Sequence, residues 1–327
     1  MTDLTKKNIL ICERFAFEAE IALKQNKNFN VQNYSEEKLA TATALIIRSK
    51  FLITPELLDK APNLELIVTC TSGFDHINLI ETQKRKICVM FTPDANATAA
   101  SELTWTLLMT SNRQTLAAHQ ELKSGDWNRE AYFMSPELTN KTIGIIGLGR
   151  IGSLVAKYAK AFNMNVLAFD PYVAASAFTD TQATRASYEE VLKQADFLSF
   201  HVPFTNETKN MFNRSHLEFV NPDLILINTS RGGVVNEDDL IQALNDKKIK
   251  FAALDVFSKE PLTKESKLLK CKNIILTPHL GAYTEEAFLK ASLEANKRVS
   301  EFFENNKTLN TLPIQNDWGS LSFSERS

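Results

Sequence analysis

No apolar run in this 327-residue chain approaches the ~18 residues that a membrane-crossing helix requires. Cysteine is scarce, and Cys12, Cys70, Cys88 and Cys271 are scattered without a CxxC pair or ligand spacing. That excludes a disulfide framework and a structural zinc site, so no metal is expected. It fits small core hydrophobes in a reducing cytoplasm. Excess charge is also missing: the formal net charge is -2. There is no basic footprint for nucleic acid or an anionic lipid surface. The N-terminal apolar run Asn8–Cys12 ends in charge at Glu13 and Arg14, so it reads as a first strand and not as a signal peptide. Glycine is sparse too, yet four of the ten glycines fall between positions 144 and 152.

What is present is an alternation of short apolar runs with helical segments. The runs are Asn8–Cys12, Ala44–Arg48, Leu64–Thr69, Ile87–Phe91, Thr142–Gly147, Asn165–Phe169, Asp196–Phe200, Leu224–Asn228, Phe251–Leu254 and Asn273–Leu276. Near-continuous apolar runs are expected of parallel strands covered on both faces. Helix starts stand between them: Pro55 after Thr54, the capping box Ser187 to Glu190, and the carboxylates after Asn236. The pattern implies an α/β architecture of two Rossmann-like or flavodoxin-like parallel-sheet domains. Long helical stretches at about 99–120 and 284–305 lead us to expect a discontinuous domain of residues 1–102 plus 285–327 and a nucleotide-type domain of 103–284. An active-site cleft is expected between them, with hinge closure. The polar, serine-rich stretch Asn316–Ser327 is expected to fray.

The most specific local pattern is GxGxxG, present as Gly147, Gly149 and Gly152. A strand precedes it and a helix follows, as a dinucleotide fingerprint requires. The first glycine allows the tight turn, the second lets backbone approach a pyrophosphate, and the third lets helix and strand pack closely. The helix N-terminus then offers N–H groups and partial positive charge. The next strand ends at Asp170, 18 residues past Gly152. A carboxylate there accepts from ribose hydroxyls and repels a 2′-phosphate, which favours NAD over NADP.

Arg231, Glu260 and His279 each stand just past a strand end. Taken singly, each is an ordinary loop residue. Together they fall at the one sheet edge where α/β ligands bind. Hydride chemistry on a 2-hydroxy acid gives each a task. Arginine offers a planar, bidentate donor for the substrate carboxylate. Histidine carries the hydroxyl proton. A carboxylate on the far side of the imidazole fixes its tautomer.

At these positions the chain resembles the D-isomer-specific 2-hydroxyacid dehydrogenase family. The resemblance extends across most of its length. It rests on Gly147–Gly152, His201-Val202-Pro203, Asn228–Gly233, Asp255-Val256-Phe257 with Glu260-Pro261, and Thr277-Pro278-His279. It implies Arg231, Glu260 and His279 as catalytic residues, Asp255 at the nicotinamide carboxamide, and Arg150, Ile151, Thr229 and Ser230 as cofactor contacts. In the N-terminal third, Thr71–Ile77 resembles the loop whose backbone N–H groups take the substrate carboxylate, with Ser72 and Gly73 at its centre. Ile47–Lys50 resembles a substrate-side segment of phosphoglycerate dehydrogenases. Arg48 and Lys50 would hold a phosphate, or else Arg48 supports the fold or holds a carboxylate and Lys50 is solvated. Asn96–Glu102 resembles the hinge-helix start, although Ala99-Ala100-Ser101 stands where many members carry Ser-Val-Ala. His76 is expected to be structural, and His119 and His216 to lie on helices.

The resemblance implies an NAD-dependent dehydrogenase of 3-phosphoglycerate, hydroxypyruvate or glyoxylate type. It would be a cytoplasmic homodimer without the C-terminal regulatory domain of longer relatives. Formate dehydrogenases carry Gln where this chain has Glu260, which argues against formate. A different class, an NAD(H)-sensing corepressor of the same fold, stands as the alternative.

Overall fold

The computed structural model describes residues 6–132 and 135–313. Asn316–Ser327, expected to fray, lies outside the described residues. These divide into two compact units: residues up to Ala97 with those from Ala282 onward, and Thr98–Gly281.

In the first unit the chain runs through β1 (Lys7–Ile11), α1 (Phe17–Gln25), β2 (Phe29–Asn33), β3 (Ala44–Ile47), α2 (Pro55–Asp59), β4 (Leu66–Thr69), α3 (Leu79–Lys84) and β5 (Cys88–Phe91). The strands pair in parallel in the order β2-β1-β3-β4-β5. β3 and β4 are buried along their whole length, which is why their sequences ALII and LIVT do not alternate. α2 starts where the sequence predicts: Leu57 N–H donates to the Thr54 hydroxyl, and Pro55 takes the first turn. β2 was not anticipated. Its sequence FNVQN is polar, and the strand lies at a sheet edge with only Phe29 buried.

The second unit holds α4 (Ala97–Arg113, beginning at the boundary), α5 (Thr115–Lys123), β6 (Thr142–Ile146), α6 (Arg150–Ala161), β7 (Asn165–Phe169), α7 (Ala175–Thr181), β8 (Thr184–Arg185), α8 (Tyr188–Gln194), β9 (Phe197–Phe200), β10 (Ile225–Asn228), α9 (Glu237–Asn245), β11 (Phe251–Leu254) and β12 (Ile274–Leu276). Its seven parallel strands are ordered β12-β11-β10-β9-β6-β7-β8. The chain leaves β6 toward β7 and β8, then returns to place β9 on the other side of β6. The carboxyl end of β6 is therefore the topological switch point where such sheets bind ligands. One face of the sheet packs Ile143, Ile145, Val166, Phe197, Ile225 and Ile227 against Val155, Ala156 and Ala159 of α6 and Leu107 and Leu108 of α4. The expected single helix at 99–120 is two: Gln114 takes a left-handed φ of 47° and separates α4 from α5. The predicted capping box at α8 forms, with Ser187 and Glu190 exchanging bonds.

α10 (Glu285–Asn305) returns the chain to the first unit. It buries Ala291, Ala295 and Val299 against Ile9, Ile11, Ile46 and Val68. Its N-cap is Thr284, whose hydroxyl accepts from Ala287 N–H.

Leu226 lies fully buried in β10, between β9 and β11. Leu226→Ala is expected to destabilise the protein by about 2–5 kcal/mol, through lost transfer energy and a residual cavity. Urea denaturation of wild type and variant measures this.

Candidate active site

The glycine loop closes between β6 and α6. Gly147 adopts φ of 92°, and a Cβ there would lie 2.7 Å from the His201 carbonyl oxygen. A Cβ on Gly152 would lie 2.0 Å from the Gly147 carbonyl oxygen, so the helix could not sit this close to the strand. Gly149 differs: nothing lies within 4 Å of the place its Cβ would take. It is the N-cap of α6, and no side chain caps that helix end. Open space above uncapped N–H groups is what a pyrophosphate requires. Arg150 and Ile151 form the first turn facing it.

Asp170, one residue past β7, is buried. Its Oδ2 accepts from Leu148 N–H at 2.8 Å, and its Oδ1 from Tyr172 N–H at 2.9 Å and Val173 N–H at 3.2 Å. The carboxylate therefore ties the β7 loop to the glycine loop, a role the sequence reading had not included. A carboxylate has about four lone-pair sites, so acceptor capacity for a ribose remains.

Strands β10, β11 and β12 are neighbours, and their carboxyl-end loops deliver Arg231, Glu260 and His279. His279 Nδ1 lies 2.7 Å from Glu260 Oε2. A carboxylate accepts, so Nδ1 carries hydrogen and Nε2 is left as the nitrogen that can exchange a proton with a substrate. Glu260 Oε1 accepts from Phe257 N–H at 3.0 Å. Partial burial raises the Glu260 pKa. The His279 hydrogen bond, the Phe257 N–H and the charges of His279 and Arg231 outweigh it, leaving Glu260 below the ordinary carboxylate value. Arg231 thus acts electrostatically on the pair. Its own Nη1 donates to the Ser230 carbonyl at 2.7 Å.

His279 stands in the left-handed region, with φ of 55°. A non-glycine residue stays there only when its surroundings hold it. Asp255, buried at the end of β11, does this. Its Oδ1 accepts from the Thr277 hydroxyl at 2.6 Å and from Leu280 N–H at 2.7 Å, and its Oδ2 from Gly281 N–H at 2.9 Å. Its carbonyl oxygen accepts from His279 N–H at 2.8 Å. Burial raises the Asp255 pKa, while these hydrogen bonds and the charge of His279 pull it back. The resemblance implied a nicotinamide contact for Asp255; the structure adds that it holds the His279 loop.

Asn228 does the equivalent at β10. Its Oδ1 accepts from the Ser230 N–H and hydroxyl at 3.0 and 2.8 Å, and its Nδ2 donates to the Arg231 carbonyl at 2.9 Å. Thr229 pairs its hydroxyl with Thr104 on α4 at 2.8 Å. The sequence reading passed over Asn228 and Thr277 as anchors. A polar residue closing a buried strand was the available signal.

In the first unit, Arg48 follows β3. The Glu13 carboxylate accepts from its N–H at 2.6 Å and from Phe51 N–H at 3.1 Å. The Arg48 guanidinium lies over the Phe288 ring at 4.9 Å, and its Nη1 is buried without a hydrogen-bond partner among the described residues. Lys50 is exposed. Past β4, the Ser72 hydroxyl donates to the Pro93 carbonyl at 3.1 Å and also bonds Asn96. Among the described residues nothing accepts from the backbone N–H of Ser72 or Gly73. Two successive unclaimed N–H groups at a strand end suit an anion.

His201 follows β9, and its Nε2 lies 2.9 Å from the Ser199 hydroxyl. Burial lowers its pKa to about 3, so the ring is neutral and makes no second acid. Among the described residues no group of three His, Cys, Asp or Glu side chains could hold a metal, and no helix is long and apolar enough to cross a membrane.

Residues 105–281 match the family model for the D-isomer specific 2-hydroxyacid dehydrogenase NAD binding domain. The chain is 36% identical over 281 residues to D-3-phosphoglycerate dehydrogenase of Methanocaldococcus jannaschii, covering 86% of this chain and 53% of that one. Against glyoxylate reductase of Thermococcus litoralis it is 38% identical over 257 residues, covering 77% of each. The crystal structure of D-lactate dehydrogenase from Aquifex aeolicus, complexed with NAD and lactic acid, matches with a TM-score of 0.82 at 30% identity, covering 91% of this chain and 96% of that one. This chain spans about half the length of the phosphoglycerate dehydrogenases it matches. A glycine loop at the switch point, an imidazole tied to a carboxylate and these likenesses agree: the chain belongs to the D-isomer specific 2-hydroxyacid dehydrogenase family, and residues 105–281 are its NAD binding domain.

Proposed function

We propose that the chain transfers a hydride between nicotinamide and a D-2-hydroxy acid or 2-oxo acid, of 3-phosphoglycerate, hydroxypyruvate or glyoxylate type. The observation that carries this reading is the 2.7 Å contact between His279 Nδ1 and Glu260, which leaves Nε2 for a substrate oxygen. The hydride is the cofactor's contribution. In the reductive direction His279 Nε2–H gives its proton to the carbonyl oxygen as that oxygen becomes hydroxyl. Glu260 accepts from Nδ1–H and so fixes the orientation of the ring for that transfer. Arg231 holds the substrate carboxylate in bidentate fashion, and the N–H groups of Ser72 and Gly73 bind it as well. Asp170 faces the adenosine ribose and selects NAD. The remaining acceptor capacity of Asp255 meets the carboxamide. Arg150, Ile151, Thr229 and Ser230 line the cofactor. The buried, unpaired Nη1 of Arg48 supports an anionic group on the substrate, with Lys50 beside it in sequence.

The partner is a second copy of this chain. α5 buries none of its own residues; its Leu122 is 54% exposed, and Trp127 beyond its end is 81% exposed. We assign the dimer contact to this apolar surface. Four free thiols accord with the cytoplasm as the compartment.

NADH oxidation with a panel of 2-oxo acids, and NAD reduction with 3-phosphoglycerate, tests the activity. Turnover of none of them would remove the dehydrogenase reading in favour of cofactor sensing. With the substrate found, His279→Asn is expected to lower kcat by roughly 10²–10⁴ while NADH affinity stays near wild type. Loss of cofactor binding in parallel would make His279 structural.

The depressed Glu260 pKa also has a consequence for stability. A carboxylate whose pKa is lowered on folding stabilises the fold above its ordinary value, ~4.3, and that contribution is lost as pH falls through the lower folded value. The two side chains are 44% and 37% exposed, so the pair is worth about 1 kcal/mol or less. Glu260→Gln should therefore be slightly less stable than wild type in urea near neutral pH, and the difference should shrink as pH falls below the ordinary carboxylate value and vanish once Glu260 is protonated in the folded protein. Sedimentation offers a further check. The wild type should run at twice the 36.8 kDa chain mass, and Leu122→Glu with Trp127→Glu at the single mass.

A further inference from the structure

The loop that carries Ser72 and Gly73 hangs on a chain of hydrogen bonds with a fixed direction. The Thr71 hydroxyl donates to the Gly73 carbonyl at 2.7 Å. Thr69 Oγ1 lies 2.6 Å from Thr71 Oγ1, and His76 Nε2 lies 3.0 Å from Thr69 Oγ1. A carbonyl only accepts, and a hydroxyl has one hydrogen. Thr71 has committed its hydrogen to Gly73, so Thr69 must donate to Thr71. Thr69 has then committed its own, so His76 Nε2 must donate to Thr69. The chain therefore runs one way, from His76 through two hydroxyls to the backbone of the loop. A ring with hydrogen only on Nδ1 would accept from Thr69 instead. That would turn Thr69 into an acceptor from Thr71 and release the Gly73 carbonyl.

We propose that His76 is a positioning residue for substrate. Through Thr69 and Thr71, its Nε2–H sets the orientation of the Ser72–Gly73 backbone. This rests on the reading above, in which those two N–H groups take the substrate carboxylate. His76 touches neither substrate nor cofactor in this scheme. Its effect belongs to substrate affinity, whereas that of His279 belongs to the chemical step.

Two measurements test this. The first needs no activity: ¹⁵N–¹H correlation of the imidazoles in the cofactor-free protein. Hydrogen on His76 Nε2 is expected, in a neutral or a charged ring. A ring protonated only at Nδ1 overturns the proposal. The second uses substitutions of equal shape and opposite polarity. His76→Gln can still donate to Thr69, whereas His76→Glu can only accept and would reverse the chain. His76→Gln should keep the wild-type KM for the 2-oxo acid within about twofold. His76→Glu should raise it about five- to tenfold, the worth of one backbone hydrogen bond, with kcat nearly unchanged.

A new negative charge could raise KM on its own, so the pair is repeated in a Thr69→Val background, where no reversal can reach Thr71. There the Gln–Glu difference should largely disappear. Equal KM values for the two variants, or a difference that persists undiminished with Thr69→Val, overturns the positioning role. Failure of the functional reading looks different. Wild type would then turn over no 2-oxo acid, and the positioning role would fall with it whatever the tautomer. In that event His279→Asn would be indistinguishable from wild type.

Discussion

The buried carboxylate of Asp255 is the point on which the site is fixed. It ends β11 and takes three hydrogen bonds from the loop after β12, while its own carbonyl holds the His279 N–H. Burying a carboxylate is costly unless its acceptor sites are satisfied. Here the donors that satisfy it, the Thr277 hydroxyl and the backbone N–H groups of Leu280 and Gly281, belong to the very loop that presents the imidazole. The arrangement also keeps His279 in a backbone conformation that non-glycine residues seldom take. His279 is thus placed by its backbone first, and Glu260 then sets the ring through Nδ1.

The parallel sheet makes this local device part of a larger constraint. Strands β10, β11 and β12 pair in register, so the loops bearing residues 231, 260 and 279 leave at one edge. The same edge carries the glycine loop after β6 and Asp170 after β7. Side chains repeatedly lock these loops through backbone groups: Asp170 to the glycine loop, Asn228 to the Arg231 turn, Asp255 to the His279 loop. The first unit follows the same rule, with Glu13 bridging from the end of β1 to the backbone after β3. In each case a side-chain acceptor, buried at Asp170, Asn228 and Asp255 and half-buried at Glu13, stiffens a loop whose outward groups can meet a ligand.

Much of this was legible before any coordinates. Continuous apolar runs such as ALII and ILIN marked strands that prove buried on both faces. Of the edge strands, β2 and β8 escaped, since FNVQN and the two-residue Thr184–Arg185 carry no apolar run. The break at Gln114 escaped for a related reason: no glycine or proline announces it, and the residue adopts φ of 47° regardless. At the site, glycine spacing and the residues after strand ends were readable because their chemistry depends on residue type and order. The anchoring roles of Asp255, Asn228, Asp170 and Glu13 were not, because a side chain's bond to backbone depends on the path of a loop. His76 shows the same limit: sequence marked it as structural, and only the hydroxyl chain shows what it supports.

The central claim is that an imidazole, a guanidinium and a carboxylate converge on one small acid beside a nicotinamide. A crystal structure with NAD and oxamate, an unreactive analogue of a 2-oxo acid, tests it most directly. The account predicts His279 Nε2 within about 3 Å of the oxamate oxygen that stands for the keto group, with Arg231 paired to its carboxylate. Oxamate bound away from His279, or His279 turned from Glu260 in that complex, would contradict it.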